Sequence, residues 1–585
     1  MMTETGSAVG RIGLAAVTGL LFSSCAATSS PTTVAGAEVT DHAARCAALV
    51  QNGAVPWPDA TTRVTSASHH ESGPAPTPPG PPGAATPSVT LPAHWEVIGV
   101  MHERTGVDGQ EYAIRFHLRM PDEWNGRFFM QGGGGTNGEL GDAIGRLAGG
   151  AAPALAQGYA VLSQDSGHNN ATNTVPERGG ASAFGFDPKA RADYGGDSLE
   201  VTALAAKAAV QSYYGAPPRY SYFVGCSKGG QEGMALAQQY PALFDGIVAS
   251  APGFSLPRAA VAEAWNTRAF ASVPRAKGEP VTNAALTGSF SMADLGLVKD
   301  AILEACDADD GLADGIVGAF RQCTSDKVVP RLRARQCTAD KVAGCLSDAQ
   351  ISALEAVHAG PRTSAGEQIY PGFPWDAGWA DMGWRIWMIG SPDGAVPAIN
   401  VAMGGPSLAA VFTSPPRAFA DTAALLDYLL AFDFDRDAKA VDAVVPPFTR
   451  SAWEDVSARS SNLDEFRQRG GKLIVPHGVS DPVFSINDTI AWWEELNARY
   501  SGKAADTARV FPVPGMAHCQ GGPATDQYDA FGAVVRWVEE GEAPRSIPAK
   551  AGANSPWPGR ERPLCPYPLV ARPVPGKDSE FECRA

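Results

Sequence analysis

From about Trp95, short apolar runs alternate with helix-length stretches in which small and apolar residues recur every three or four positions. "EYAIRFHLRM", "GRFFMQ", "GYAVLSQD", "YSYFVG", "FDGIVASAPG", "GKLIVPHG" and "ARVFPVPG" read as strands. "SLEVTALAAKAAVQSYYG", "GGQEGMALAQQY" and "DAFGAVVRWVEEG" read as helices. Strand alternating with helix predicts a mostly parallel sheet covered on both faces. The pattern stops between 254 and 459, where short helix-like pieces mix with loops, Trp and Pro. A connection of that length without structure is improbable, so it predicts a folded lid inserted between two strands. The expected division is an α/β domain at 93–253 and 460–585, with the lid at 254–459 between its parts.

The N-terminal residues read differently. Residues 28–92 include "ESGPAPTPPGPPGAATPSVTLP" and are expected to form a linker and N-terminal segment. Residues 1–27 read as an export signal. Arg11 precedes "IGLAAVTGLLF", which is too short to span a bilayer, and small residues follow. Cys25 stands where a lipoprotein signal places its acylated cysteine, so either a lipid anchor or simple cleavage is expected. The net charge of −16 is dispersed along the chain, which argues against nucleic acid or an anionic membrane surface as partner.

"GCSKG" fits G-x-S-x-G with Ser227 at its centre, and it stands between a strand and a helix. That context predicts a nucleophile elbow and an α/β-hydrolase fold. The acid and base should follow at later strand ends. "KLIVPHGVSDP" supplies Asp481 and "RVFPVPGMAHC" supplies His518. Asp488 reads as a helix start rather than the acid. His477 precedes the acid and is expected in the pocket wall, while His69 and His70 fall in the linker. Lys228, after the nucleophile, and Gly135, in "QGGGGTNG", are the expected oxyanion N–H donors.

Export permits disulfides. Spacing suggests Cys306 with Cys323, Cys337 with Cys345, and Cys565 with Cys583. Cys226 adjoins the nucleophile and Cys519 adjoins the base. Bringing Ser227 within hydrogen-bond reach of His518 brings these cysteines within bonding range, which predicts a Cys226–Cys519 bridge.

"GCSKGGQEG", "HGVSDP" and "PGMAHCQGG" together resemble the tannase/feruloyl esterase family. "MPDEWNGRFFMQGGGGTNG", "FGFDPKARADYG", "FDFD" and "RPLCPYP" extend the likeness to the C-terminus. Within that family the chain is most similar to bacterial mono(2-hydroxyethyl) terephthalate hydrolases. The resemblance implies an exported serine carboxylesterase for aromatic esters, with Ser227, Asp481 and His518 as triad. Terephthalate monoester is one expected substrate, and feruloyl or galloyl esters are the alternative. A non-catalytic secreted binding protein and an acyltransferase are the competing classes.

The resemblance also implies a structural calcium in the lid and no organic cofactor. "CDADDGLADGIV" offers carboxylates of Asp307, Asp310 and Asp314 and carbonyls of Leu312 and Ile316, all oxygen donors suited to a hard cation. Leu256, Trp387 and Phe484 are implied as the aromatic and apolar wall. Two positions depart from the family pattern. Trp95 replaces the cysteine that would pair with Cys46, and Val401 falls where a lid arginine would bind a substrate carboxylate. Lys228 or Arg417 is the expected substitute for that charge.

Overall fold

The computed structural model describes residue 49 and residues 55–76, 89–419 and 423–585. The export signal, Cys25 and Cys46 lie outside the described residues. Nine strands form one sheet: β1 (Arg63–His70), β2 (His94–Thr105), β3 (Glu111–Pro121), β4 (Arg127–Gln131), β5 (Ala160–Gln164), β6 (Tyr220–Cys226), β7 (Gly246–Ser250), β8 (Lys472–Gly478) and β9 (Ala508–Val513). Their spatial order is β1-β2-β3-β5-β4-β6-β7-β8-β9. The β1/β2, β2/β3 and β3/β5 pairs are antiparallel, and every pair from β5 to β9 is parallel.

The parallel strands carry nearly unbroken apolar runs because both of their faces are covered. Phe128, Phe129 and Met130 of β4 and Leu473, Ile474 and Val475 of β8 are all fully buried. Helix α1 (Ser198–Tyr214) ends on Gly215, whose φ of 77° makes the left-handed cap. Its Ala203, Ala206 and Ala209 let it lie close on the sheet, together with α2 (Lys228–Gln239). Helices α6 (Ile486–Arg499) and α7 (Ala530–Glu539) follow β8 and β9.

No described residue between 251 and 471 joins the sheet, and that interval holds the lid. Its first helix, α3 (Leu256–Ala276), leaves directly from the loop after β7. Later come α4 (Met382–Met388) and a wide helical turn, Asn400–Gly404, that runs into α5 (Gly405–Ala410). The lid has its own core, with Trp375 tilted against Trp379 at a ring separation of 4.8 Å and Trp379 stacked on Trp384 at 5.2 Å. That core also takes in Val483 and Phe484 from the loop after β8, so lid and catalytic loop share one packed interior.

A buried arginine fastens the lid's C-terminal end. Arg191 pairs with Asp455 at 2.8 Å, donates to Ser414 and to the carbonyl of Arg450, and packs 3.9 Å from the Phe448 ring centroid. This accounts for much of "FGFDPKARADYG", whose chemistry the sequence leaves open.

One expectation fails. Residues 63–70, assigned to the linker, form the edge strand of the main sheet. His69 bonds Asp122 and His70 pairs with Glu96. Only Ala67 of "RVTSASHH" is buried, so the strand lacks the apolar alternation that would reveal it.

Candidate active site

The catalytic groups gather beyond the carboxyl ends of the parallel strands, where an open α/β sheet places its ligands. Ser227 joins β6 to α2 with φ 65° and ψ −120°. That conformation costs of order 1–3 kcal/mol in an ordinary residue, and its surroundings must enforce it. The Ser227 N–H bonds Ser250 O, and the Ser227 carbonyl accepts from Gly253 and Gln231. Close approach also explains the glycines: a Cβ on Gly225 would meet the Gly229 backbone at 2.5 Å, and one on Gly229 would meet Gly133 O at 2.8 Å. The elbow, the first turn of α2 and the glycine loop interlock through bare backbone.

Asp481 follows β8 and His518 follows β9. His518 Nδ1 and Asp481 Oδ2 are 2.8 Å apart. Asp481 Oδ1 accepts the N–H groups of Val483 and Phe484. Burial pushes the Asp481 carboxyl up, but the charge of His518 and hydrogen bonds from His477 and His518 outweigh it and hold it well below the usual carboxylate range. With Nδ1 tied to Asp481, Nε2 is the ring nitrogen left without that partner.

The Cys226–Cys519 disulfide joins the residue before Ser227 to the residue after His518, with Cα atoms 6.1 Å apart across 293 positions. Cys306–Cys323, Cys337–Cys345 and Cys565–Cys583 are also bonded. Trp387 and Phe484 stand edge-on to the His518 ring, at 5.6 and 5.4 Å. Leu256 lies beside Phe484 at Gly253, where an added Cβ would touch both side chains.

His477 does not line the pocket. It is fully buried, with its nitrogens at 2.9 Å from Thr489 Oγ1 and 3.0 Å from Phe484 O, and it lies 3.4 Å from Asp481. Its place within the buried strand β8 sets it behind the acid. Asp488 pairs with Arg459.

The glycine loop is held by groups that the motif reading passed over. Glu232 Oε2 accepts the Gly133 N–H at 2.9 Å, and its Oε1 accepts from Asn137 at 2.7 Å and from Lys228 Nζ at 3.1 Å. Tyr194 donates to Gly135 O at 3.0 Å, and Gly135 has φ 57°. Lys228 opens α2, so its N–H has no acceptor within the helix and stands at the positive end of its dipole. Its side chain is fixed. The ammonium lies 4.6 Å from the Tyr194 ring centroid, bonded to Glu232, and burial lowers its pKa. It is not a free cation for substrate. Arg417 stacks on Tyr428 in a surface depression that none of the triad lines. Neither expected substitute charge reaches the pocket. The i,i+4 spacing of Lys228 and Glu232 was the available signal for this clamp.

In the acidic lid loop, Asp307 accepts the N–H groups of Asp314 and Gly315. Asp310 accepts those of Leu312 and Gly318, while Asp314 accepts that of Ile316. Arg562 bridges the carboxylates of Asp310 and Asp314. Among the described residues, no three Asp, Glu, His or Cys side chains converge as a metal cluster. In this arrangement the Arg562 guanidinium neutralises two of the three carboxylates.

The family model described as "Tannase and feruloyl esterase" matches residues 96–583. The chain is 43% identical to the mono(2-hydroxyethyl) terephthalate hydrolase of Piscinibacter sakaiensis, covering 90% of this chain and 89% of that one. It is 27% identical to a probable feruloyl esterase of Arthroderma benhamiae, covering 86% and 88%. The fold is similar to that of feruloyl esterase B from Aspergillus oryzae, with a TM-score of 0.70 at 22% identity over 92% of this chain and all of that one. With the elbow, the acid–base pair and the bridging disulfide in one place, and a matched family model spanning both halves of the hydrolase domain and the lid, this chain belongs to the tannase and feruloyl esterase family and is a carboxylic ester hydrolase.

Proposed function

We propose that the chain is an exported serine esterase that cleaves esters of small aromatic carboxylic acids through an acyl-enzyme. The observation that carries this reading is the His518 ring, bonded to Asp481 on one nitrogen and flanked by Trp387 and Phe484. His518 Nε2 takes the Ser227 Oγ proton as Oγ attacks the ester carbonyl. The N–H groups of Lys228 and Gly135 receive the oxyanion, and His518 returns the proton to the leaving alcohol. Water then repeats the sequence on the acyl-enzyme and frees the acid. Mono(2-hydroxyethyl) terephthalate and phenolic esters of the feruloyl or galloyl type are the substrates that the relatives' names put forward.

Export is supported by four disulfides, which persist in an oxidising compartment. Among the described residues no helix is long and apolar enough to cross a membrane. Calcium in the Asp307–Ile316 loop is carried forward on its oxygen-only donor set. Binding requires Asp310 and Asp314 to exchange Arg562 for the ion, and a lower Tm on chelation, restored by calcium, is its test. Substrate class is tested with methyl ferulate, methyl gallate and mono(2-hydroxyethyl) terephthalate. Turnover of at least one, abolished in Ser227→Ala, supports the reading. Turnover of none contradicts it.

A further inference from the structure

The lid holds an acid for which the reaction has no use. Glu263, on α3, is 6% exposed, and its Oε2 has no hydrogen-bond partner. A Cβ on Gly404 would come within 1.7 Å of that oxygen, so the carboxyl lies against backbone that only glycine leaves open. One turn further along α3, Asn266 is fully buried with both amide atoms unpartnered. On the Asn400–Gly404 turn, Asn400 Oδ1 is buried and unpartnered too. A buried polar group without a partner costs roughly 1–3 kcal/mol, and native interiors hold few of them. Three such residues on two elements in mutual contact form a concentrated cost at one place in the lid.

That place adjoins the catalytic centre. Met403, beside Gly404, has its sulfur 3.7 Å from where a Cβ on Gly135 would stand. Tyr194, which holds the Gly135 carbonyl, is kept protonated by burial and by the nearby carboxyls of Glu232 and Glu263. Along α3, Leu256 stands beside Phe484 at the scissile end, and Glu263 follows at i+7 on the same helix face, roughly 10 Å further on. The neighbouring cations are committed elsewhere: Lys228 to Glu232, and Arg385 of α4 to the carbonyls of Gly390, Thr287 and Phe290.

We propose that Glu263, with Asn266 and Asn400, forms a distal acyl subsite that binds a neutral hydrogen-bonding ring substituent, such as a phenolic hydroxyl, and rejects a free carboxylate. The inference rests on the esterase reading above. Burial pushes the Glu263 carboxyl up to about 8, so at neutral pH it is an acid able to donate as well as accept. A substrate carboxylate placed there faces an acid and two amides with no cation. A ring hydroxyl finds both a donor and an acceptor. Sites built to hydrogen-bond a substrate group discriminate strongly against analogues that leave the buried polar atoms unpaired.

The test uses three methyl esters that share one ring and one leaving group: methyl benzoate, methyl 4-hydroxybenzoate and monomethyl terephthalate. The full chain is expected to show a kcat/KM at least tenfold higher for the hydroxy ester than for the carboxylate ester. In Glu263→Leu the ratio of hydroxy ester to methyl benzoate should fall at least tenfold, chiefly through KM. The isosteric Glu263→Gln should recover most of that ratio. A wild-type preference for monomethyl terephthalate overturns the proposal. So does a Glu263→Leu enzyme in which all three esters decline alike, because that is a structural role. If the Glu263→Leu substitution prevents folding, an unchanged ratio in both Asn266→Leu and Asn400→Leu overturns it as well. Absence of any Ser227-dependent turnover of all three esters overturns the esterase reading itself and removes the subsite with it.

Discussion

The charged groups on the floor of the site and the Glu263 corner of the lid above it differ in how they are satisfied. On the floor, the key charged side chains are matched. Asp481 accepts two backbone N–H groups and His518, and Glu232 accepts three donors. In the lid, Glu263, Asn266 and Asn400 keep unpartnered atoms although they are equally buried. A matched network is rigid and the same for every substrate, as stabilising an oxyanion requires. An unmatched one has bonding capacity left over for a ligand group or water. On our proposal the floor performs the reaction and the lid chooses the ester.

The largest effect that can break this division comes from the floor. Asp481→Asn should lower kcat by about 10⁴-fold on every aromatic ester, because it favours the wrong His518 tautomer without altering the pocket. A loss confined to one ester would place selection on the floor instead. Next is Arg191→Ala, which leaves Asp455 buried and unpaired and should cost about 3–5 kcal/mol by denaturant unfolding. Arg191→Lys should rescue little, since an ammonium cannot reproduce three divergent bonds.

The lid should respond in the other direction. The Glu263 carboxyl has an ordinary value of 4.5 and is pushed up to about 8 in the fold by burial. Between those values the unfolded chain has released a proton that the folded chain retains. Stability therefore falls as pH rises through that window, full below it and lost above it. Glu263→Gln should remove this dependence and, near pH 8, stabilise the protein by up to a few kcal/mol. Equal slopes of Tm against pH for the two proteins would mean that Glu263 has a partner in solution. The smallest effect is Tyr194→Phe, which frees the Gly135 carbonyl and should lower kcat by about tenfold or less, at roughly 1 kcal/mol for one hydrogen bond, with KM little altered.

The floor was far easier to read from the chain than the lid, for a physical reason. Ser227, Asp481 and His518 each follow a buried strand, so local apolar runs mark their positions, and the flanking cysteines report their proximity. The clamp at Glu232 was partly legible from its spacing to Lys228. The lid pocket is assembled from α3, α4 and the Asn400–Gly404 turn, and no local period says which faces meet. In "PRAAVAEAWNTRAF", Glu263 reads as an ordinary solvated helix charge. Only its contact with Gly404 reveals it as buried. The edge strand at Arg63–His70 escaped because its alternation buries a single alanine. Lys228 and Arg417 carry the charge a lid cation needs, but charge along the chain does not report where a side chain is held. Their partners, Glu232 and Tyr428, are set by tertiary packing.

The central claim, that the floor performs acyl transfer on Ser227, is tested most directly by trapping the intermediate. The chain is mixed with p-nitrophenyl benzoate, quenched in acid within the first turnover, digested without reduction and weighed peptide by peptide. The account predicts one benzoyl group on the peptide containing Ser227, with Cys226 still joined to Cys519, and no adduct in Ser227→Ala. A benzoyl group on another residue, or an adduct that survives in Ser227→Ala, would contradict it.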